Sequence, residues 1–256
     1  MDKHPTAVVS PRAKIGQNVK IGPFAIIEDD VIIGDGCEIG SSALIADGTR
    51  LGDNCRVFHS AVLGTIPQDL KFKGEKTTLE IGNGVTIREF ATLNRGTVDR
   101  LKTIIGENCL LMAYAHVAHD CILGKHVVIA NAVNMAGHCI IEDYVGVGGM
   151  CAIHQFVRIG KHSFIGGGLR IHKDVPPFIL AMGEPLRYGG LNNVGLKRRE
   201  FSDEALAAIK KTYRILYQLN LTTQDALAKI EQEIEPIPEV RDIVSFIRES
   251  ERGVIR

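Results

Sequence analysis

Aliphatic residues recur along this chain with a period of six. Val, Ile, Leu or Met stands at every sixth position from Val9 to Ile171, and of the 28 positions in that frame only Asp69, Glu75 and Asp99 depart from it. The next position is most often glycine, as at Gly16, Gly34, Gly52, Gly106, Gly124 and Gly160. A fixed short period of this kind marks a parallel β-helix. The fourth residue after each aliphatic and the next aliphatic are two apart, so both side chains point inward from a short strand and the residue between them points out. Glycine suits the start of the turn if that corner needs positive φ. One hexad has no core of its own, so stability comes from stacking on its neighbours, each buried aliphatic contributing about 1.5–3 kcal/mol.

Two stretches interrupt the pattern, TIPQDLKFKGEKTT at 65–78 and TVDRLKT at 97–103. Both are polar and charged and read as loops leaving the solenoid, where insertions collect on one side, often the binding side. The repeat therefore predicts a β-helix over 1–177, a connecting segment at 178–200, and a small helical domain at 201–256. Apolar residues at helical spacing predict helices at 201–220, with Ser202 as N-cap and Asp203 and Glu204 in the first turn, at 222–233 and at 239–252.

Thirty Lys and Arg balance thirty Asp and Glu, so no global field points to nucleic acid or an anionic membrane, and any basic site is local. No apolar run approaches the roughly 18–20 residues a membrane helix needs. The first six residues lack the basic then apolar design of a signal peptide. Stable membrane insertion is not expected, and the cytoplasm is the expected compartment. The six cysteines, Cys37, Cys55, Cys109, Cys121, Cys139 and Cys151, all occupy the inward fourth slot. They read as small core fillers, not as a disulfide or metal set.

The hexads beginning at Val117, Met135, Ile153 and Ile171 are 18 apart. If three hexads close a coil they share one face, and they gather His119, His138, His154 with Gln155, and His172, with His116 just around the corner. Histidine titrates near neutrality and serves as a general base. Asp120 beside His119 is suited to orient the ring, and Gly137, without a side chain, lets its N–H approach an oxyanion. Zinc is the competing use of such a cluster, as in the gamma class of carbonic anhydrases on the same prism. That class needs two histidines five apart, and this chain has no such pair.

An ordered set of segments carries a more specific signal: QDLKFKGE at 68–75, NRGT at 94–97, AYAHVAHD at 113–120, AGH at 136–138, GGMCAIHQF at 148–156, DVPPF at 174–178 and GLKRREFS at 195–202. Together they resemble the UDP-N-acetylglucosamine O-acyltransferases that begin lipid A synthesis, over nearly the whole chain. The resemblance implies a left-handed triangular β-helix with a helical cap. It also implies a homotrimer whose active sites lie between neighbouring prisms. In that likeness His119 is the general base on the sugar 3-hydroxyl, Asp120 its orienting partner and the Gly137 N–H the oxyanion donor. Asp69 and Lys71 hold the sugar and its phosphate, and His116, His138, His154 and Gln155 position substrate. Arg198 and Arg199 lie near the uridine and carrier contacts, within a basic patch that includes Lys210, Lys211 and Arg214 and suits an acidic carrier protein. No cofactor is implied, since the donor is an acyl chain on the phosphopantetheine arm of acyl carrier protein. Gly167 matches the residue that sets acyl length, and a glycine there implies an open groove and a long 3-hydroxyacyl chain. Where the family often has His-Arg-Gly-Thr this chain has Asn94, a change among the sugar contacts. An acetyl-CoA-dependent acetyltransferase on the same prism is the second enzymatic reading. A non-enzymatic scaffold would have no need of the His119, His138 and His154 set.

Overall fold

The computed structural model describes residues 1–256. Twenty-eight short strands form three sheets of eleven, nine and eight strands, here sheets 1, 2 and 3. The chain visits them in that order, one strand per sheet in each coil. Parallel register joins residues 18 apart, as Lys20 with Glu38, Ile26 with Leu44 and Ile32 with Arg50. The result is a left-handed parallel β-helix with a small helical C-terminus. Inward aliphatics and the fourth-slot residues form most of one core cluster of 60 residues. All six cysteines are buried and unpaired within it.

Register explains the three exceptions to the period. Across the first interruption paired residues are 30 apart, Arg56 with Thr86 and Val62 with Thr92, and across the second 24, Thr86 with Leu110 and Thr92 with His116. The excess over an 18-residue coil is two hexads in one case and one in the other. The frame therefore survives both excursions, and each inserted hexad carries one of Asp69, Glu75 and Asp99. Both excursions leave at the turn from sheet 2 to sheet 3. The first runs between strands Val62–Thr65 and Thr78–Ile81, the second between Thr92–Asn94 and Lys102–Ile105.

The glycine slot is filled for a different reason from the expected one. Positive φ falls two residues later, on Asn18, Phe24, Asn108, Asp120 and His138 among others, and within the slot only on Gly64, where the first excursion departs, whereas most slot glycines lie against the next coil's backbone. A Cβ on Gly34 would stand 2.7 Å from the carbonyl carbon of Gly52 and 2.8 Å from the Asp53 nitrogen. Contact between coils, not handedness of the turn, excludes a side chain there.

Beyond 177 the prism continues further than the period predicts. Strand Ile179–Met182 joins sheet 1 beside Phe164–Ile165, and Arg187–Leu191 returns antiparallel to it. Helix α1 (Asn193–Arg198) precedes α2 (Asp203–Gln218), α3 (Thr223–Glu233) and α4 (Pro238–Arg248). Ser202 caps α2 by accepting from the Ala205 N–H, and Pro238 opens α4 at the position where a missing N–H is harmless. The tail is tied to the prism by the Tyr213 hydroxyl donating to the Pro177 carbonyl at 2.6 Å and the Ile255 N–H to the Asp174 carbonyl at 3.0 Å. No helix is long and apolar enough to cross a membrane.

Candidate active site

Val117, Met135, Ile153 and Ile171 are stacked in register on sheet 2. The three residues after each therefore form a column of corners: Ala118-His119-Asp120, Ala136-Gly137-His138, His154-Gln155-Phe156 and His172-Lys173-Asp174. The histidines gather along the edge between sheets 2 and 3, not on a flat face. A corner turns the chain through the left-handed conformation, with φ of 58° at Asp120 and 63° at His138, which carries these side chains off the sheet. The two excursions leave this same edge one and two coils below His119.

Asp120 is wholly buried and His119 only 14% exposed, with the His119 Nδ1 2.8 Å from the Asp120 Oδ2. Thr97 supplies further donors, its N–H to Oδ1 at 3.0 Å and its hydroxyl to Oδ2 at 2.6 Å. Burial alone pushes the Asp120 carboxyl upward, but these donors outweigh it and bring it down to about 2. An ionised carboxylate only accepts, so His119 donates from Nδ1 and keeps its lone pair on Nε2. That nitrogen lies over Gly137, where a Cβ would stand 2.8 Å from it and 2.7 Å from the ring Cε1. The glycine gives the imidazole its seat. The Gly137 N–H has no acceptor within the protein; His119 and Gln155, below and above it in the column, share that feature, so the bare Cα is what distinguishes Gly137.

His138 meets the His119 ring edge-on at 5.1 Å and stacks on Phe156 at 4.6 Å. Its Nε2 is 3.6 Å from the Asp99 carboxylate and 3.8 Å from that of Asp120. Burial holds His138 below the usual range although Asp120 pulls the other way. His116 points outward from sheet 2, its Nδ1 2.7 Å from the Thr92 hydroxyl, and burial and then the nearby His119 lower it too. Both favour neutral rings that donate or accept hydrogen bonds. His119, Asp120 and His138 offer ligand atoms within 4.8 Å of one another. Both Asp120 oxygens are already taken by N–H and O–H donors, so the set reads as a hydrogen-bonded relay instead of a cation cage.

The remaining residues of interest are dispersed. His154 and Gln155 are exposed on the same edge. Asp69 and Lys71 lie in the longer excursion, where the Asp69 carboxylate accepts from the Lys71 N–H at 2.9 Å; no hydrogen bond or ion pair joins them to His119. Gly167 sits on a different edge, between sheets 1 and 2. Arg198 and Arg199 end α1 at the third edge, between sheets 3 and 1, where Arg199 donates to the Tyr144 carbonyl at 3.1 Å and lies over its ring. One chain thus unites His116, His119, Asp120, Gly137, His138, His154 and Gln155 along an edge but not Gly167, Arg198 or Arg199. Sequence reasoning named neither Thr97 nor Asp99 nor Phe156 as site residues; Thr97, in the NRGT segment, and Phe156, closing GGMCAIHQF, each had a motif to flag it, and Asp99 had none.

Residues 12–47 and 102–137 match the family model for the bacterial transferase hexapeptide (six repeats), and 174–255 the model described as UDP-N-acetylglucosamine O-acyltransferase, domain 2. The acyl-[acyl-carrier-protein]–UDP-N-acetylglucosamine O-acyltransferase of Trichlorobacter lovleyi is 54% identical over 260 residues, with all of both chains covered. The chain belongs to that family. A crystal structure of a UDP-N-acetylglucosamine acyltransferase from Bacteroides fragilis superposes with a TM-score of 0.97 at 48% identity, covering 99% of each chain. The corresponding protein of Acinetobacter baumannii gives 0.96 at 42%, again with 99% of each covered. Among these O-acyltransferases the likeness thus runs through the prism, both excursions and the helical cap.

Proposed function

We propose that the chain transfers a long 3-hydroxyacyl group from acyl carrier protein to the 3-hydroxyl of UDP-N-acetylglucosamine, the first step of lipid A synthesis. The observation that carries this reading is the His119 imidazole, oriented by an ionised Asp120, with its free nitrogen against the bare Cα of Gly137, whose N–H lacks an acceptor. His119 Nε2 takes the proton as the sugar oxygen attacks the thioester carbon. The carbonyl electron pair moves onto oxygen, which the Gly137 N–H receives; the carbon–sulfur bond then breaks and the imidazolium returns the proton to the leaving phosphopantetheine thiolate. An oriented base contributes about 10²–10⁴-fold and one oxyanion donor about 10²–10³-fold. Asp69 and Lys71 in the excursion hold sugar and phosphate, His116, His138, His154 and Gln155 position the acceptor, and Arg198 and Arg199 reach toward uridine or carrier.

The dispersal of residues over three edges supports a homotrimer with sites between prisms; the proposed compartment is the cytoplasm. The edge between sheets 1 and 2 carries Phe90, Tyr114 and Met150, 41%, 61% and 77% exposed, and apolar groups in such number call for a partner. With this edge of one prism beside the histidine edge of the next, Gly167 comes within reach of the site. It lies three coils above the coil that holds His119, about 14 Å at the spacing of paired strands, which supports a long acyl chain.

The reading is tested with His119→Ala, expected to abolish transfer from 3-hydroxyacyl carrier protein while the protein stays folded and assembled. Turnover like that of the unmodified enzyme in this variant, or a preference for acetyl-CoA as donor, overturns it.

A further inference from the structure

The shorter excursion, residues 95–101, has no role in the reaction as derived so far, and its position against Asp120 suggests one. An aspartate at a solvent-facing corner is ordinarily free to swing, yet Asp120 is wholly buried beneath this loop. Every polar group of the residue is engaged by the excursion, the strand that follows it, or His119. Thr97 takes both carboxylate oxygens, as above. The Thr103 hydroxyl accepts from the Asp120 N–H at 2.8 Å, and Arg100 donates to its carbonyl at 3.0 Å. With Oδ1 held by the Thr97 N–H, the plane of the carboxylate is fixed. Oδ2 then has one direction left in which to accept, toward the Nδ1 of His119.

We infer that Thr97 is a positioning residue for the transfer reaction: its hydroxyl and N–H lock the Asp120 carboxylate in the one orientation that holds His119 as the Nδ1–H tautomer, and the excursion at 95–101, with its one inserted hexad, is there to deliver that clamp. Thr97 acts through Asp120 and touches no reacting atom. A fully buried carboxylate with three donors is strongly over-determined, which is the condition under which a second residue governs the geometry of a catalytic pair. The hydroxyl matters in its own right, because it donates to the same oxygen that His119 uses, and two donors on one oxygen set the angle between them. The inference rests on His119 as the base.

The experiment compares Thr97→Val, which removes the hydroxyl and keeps both shape and N–H, with Thr97→Ser, which restores it, in the full-length enzyme with acyl carrier protein as donor. Thr97→Val is expected to lower kcat by about ten- to a hundredfold, the effect of losing one hydrogen bond to a charged group, with little change in KM. Thr97→Ser is expected to recover activity to within a few-fold. Two readouts separate positioning from a purely structural part. The Nδ1–H proton resonance of His119 should shift or broaden in Thr97→Val and return in Thr97→Ser. Thr97→Val placed on an Asp120→Ala background should lose nothing further, because the group it acts through is gone. Losses that add in the double variant, or an unmoved ring proton, overturn the inference while leaving His119 as base intact. Full activity in His119→Ala removes the reading beneath it instead, so the two failures are distinguishable.

Discussion

Asp120 and Gly137 act on the same imidazole in different ways, one by hydrogen bond and charge, the other by leaving room. Adding a methyl at Gly137 puts a carbon 2.7 Å from the His119 ring, so the ring must leave its place. Gly137→Ala is expected to fold normally and lower kcat by about a hundredfold, the effect of a misplacement near 1 Å, and steady-state kinetics with a melting curve check both halves. Asp120 has a second signature. Its carboxyl titrates near 2 in the folded protein against 3.8 for the free group, so the native state binds fewer protons in that interval. The stability this contributes, about 2 kcal/mol, is present above pH 4 and is lost as pH falls toward 2. Asp120→Asn should therefore be less stable at pH 6 and have a flatter acid limb in chemical denaturation. Much of this corner was legible from residue numbers, because a period of six places His119, Gly137 and His138 without any structure. Thr97 was not, since the inserted hexad carries no inward aliphatic and a frame gives no position to a loop that folds back over the prism.

The coil is an element in which one slot serves contact between neighbours and another serves the turn. Gly34 and Gly166 occupy the same slot, but a Cβ on Gly34 meets backbone at 2.7 Å while on Gly166 it meets first the Leu169 side chain at 3.3 Å. Gly34→Ala is expected to destabilise by about 1–3 kcal/mol and Gly166→Ala to be near neutral, as denaturant midpoints will show. The sequence alone read the slot as a demand for positive φ, because φ cannot be seen in a period. The hairpin after 177 was likewise hidden, since Ile179–Met182 holds its place by pairing with Phe164 and carries no hexad of its own. On the edge between sheets 3 and 1, His126, Tyr144, His162 and Phe178 form a ladder of stacked rings at 4.7, 4.8 and 5.7 Å. Phe201, just ahead of α2, packs edge-on against His162. Burial, aided by Arg199 and Lys161, pushes His162 down to about 4. The unfolded chain then binds the extra proton first, so stability falls as pH drops from about 6.5 toward 4. His162→Phe should abolish that loss, raising the melting temperature at pH 5 relative to the unmodified protein by more than at pH 7.5.

At the scale of the molecule the question is how one chain with site residues on three edges makes one site. Tyr114 and Met150 are exposed along the edge that carries Gly167, with the histidine column one edge away, and the proposed assembly uses a second copy to bring the two edges together. In the proposed cyclic trimer each copy would offer its histidine edge to the next copy's glycine edge, head to tail. That arrangement has a consequence a self-contained site lacks: two inactive chains repair one another. His119→Ala removes the base, and Gly167→Met, by filling the groove, blocks a long acyl donor. Each homotrimer is expected to be inactive with that donor. When the two are co-expressed and mix at random, half of the histidine edges and half of the glycine edges are intact. About a quarter of the sites then join an intact pair, and activity returns to about a quarter of that of the unmodified enzyme. A site built within one chain recovers nothing on mixing, because every chain carries one lesion. The same mixture assayed with a short donor distinguishes blockage from misfolding: the Gly167→Met homotrimer alone should accept the short chain, while His119→Ala alone should accept neither.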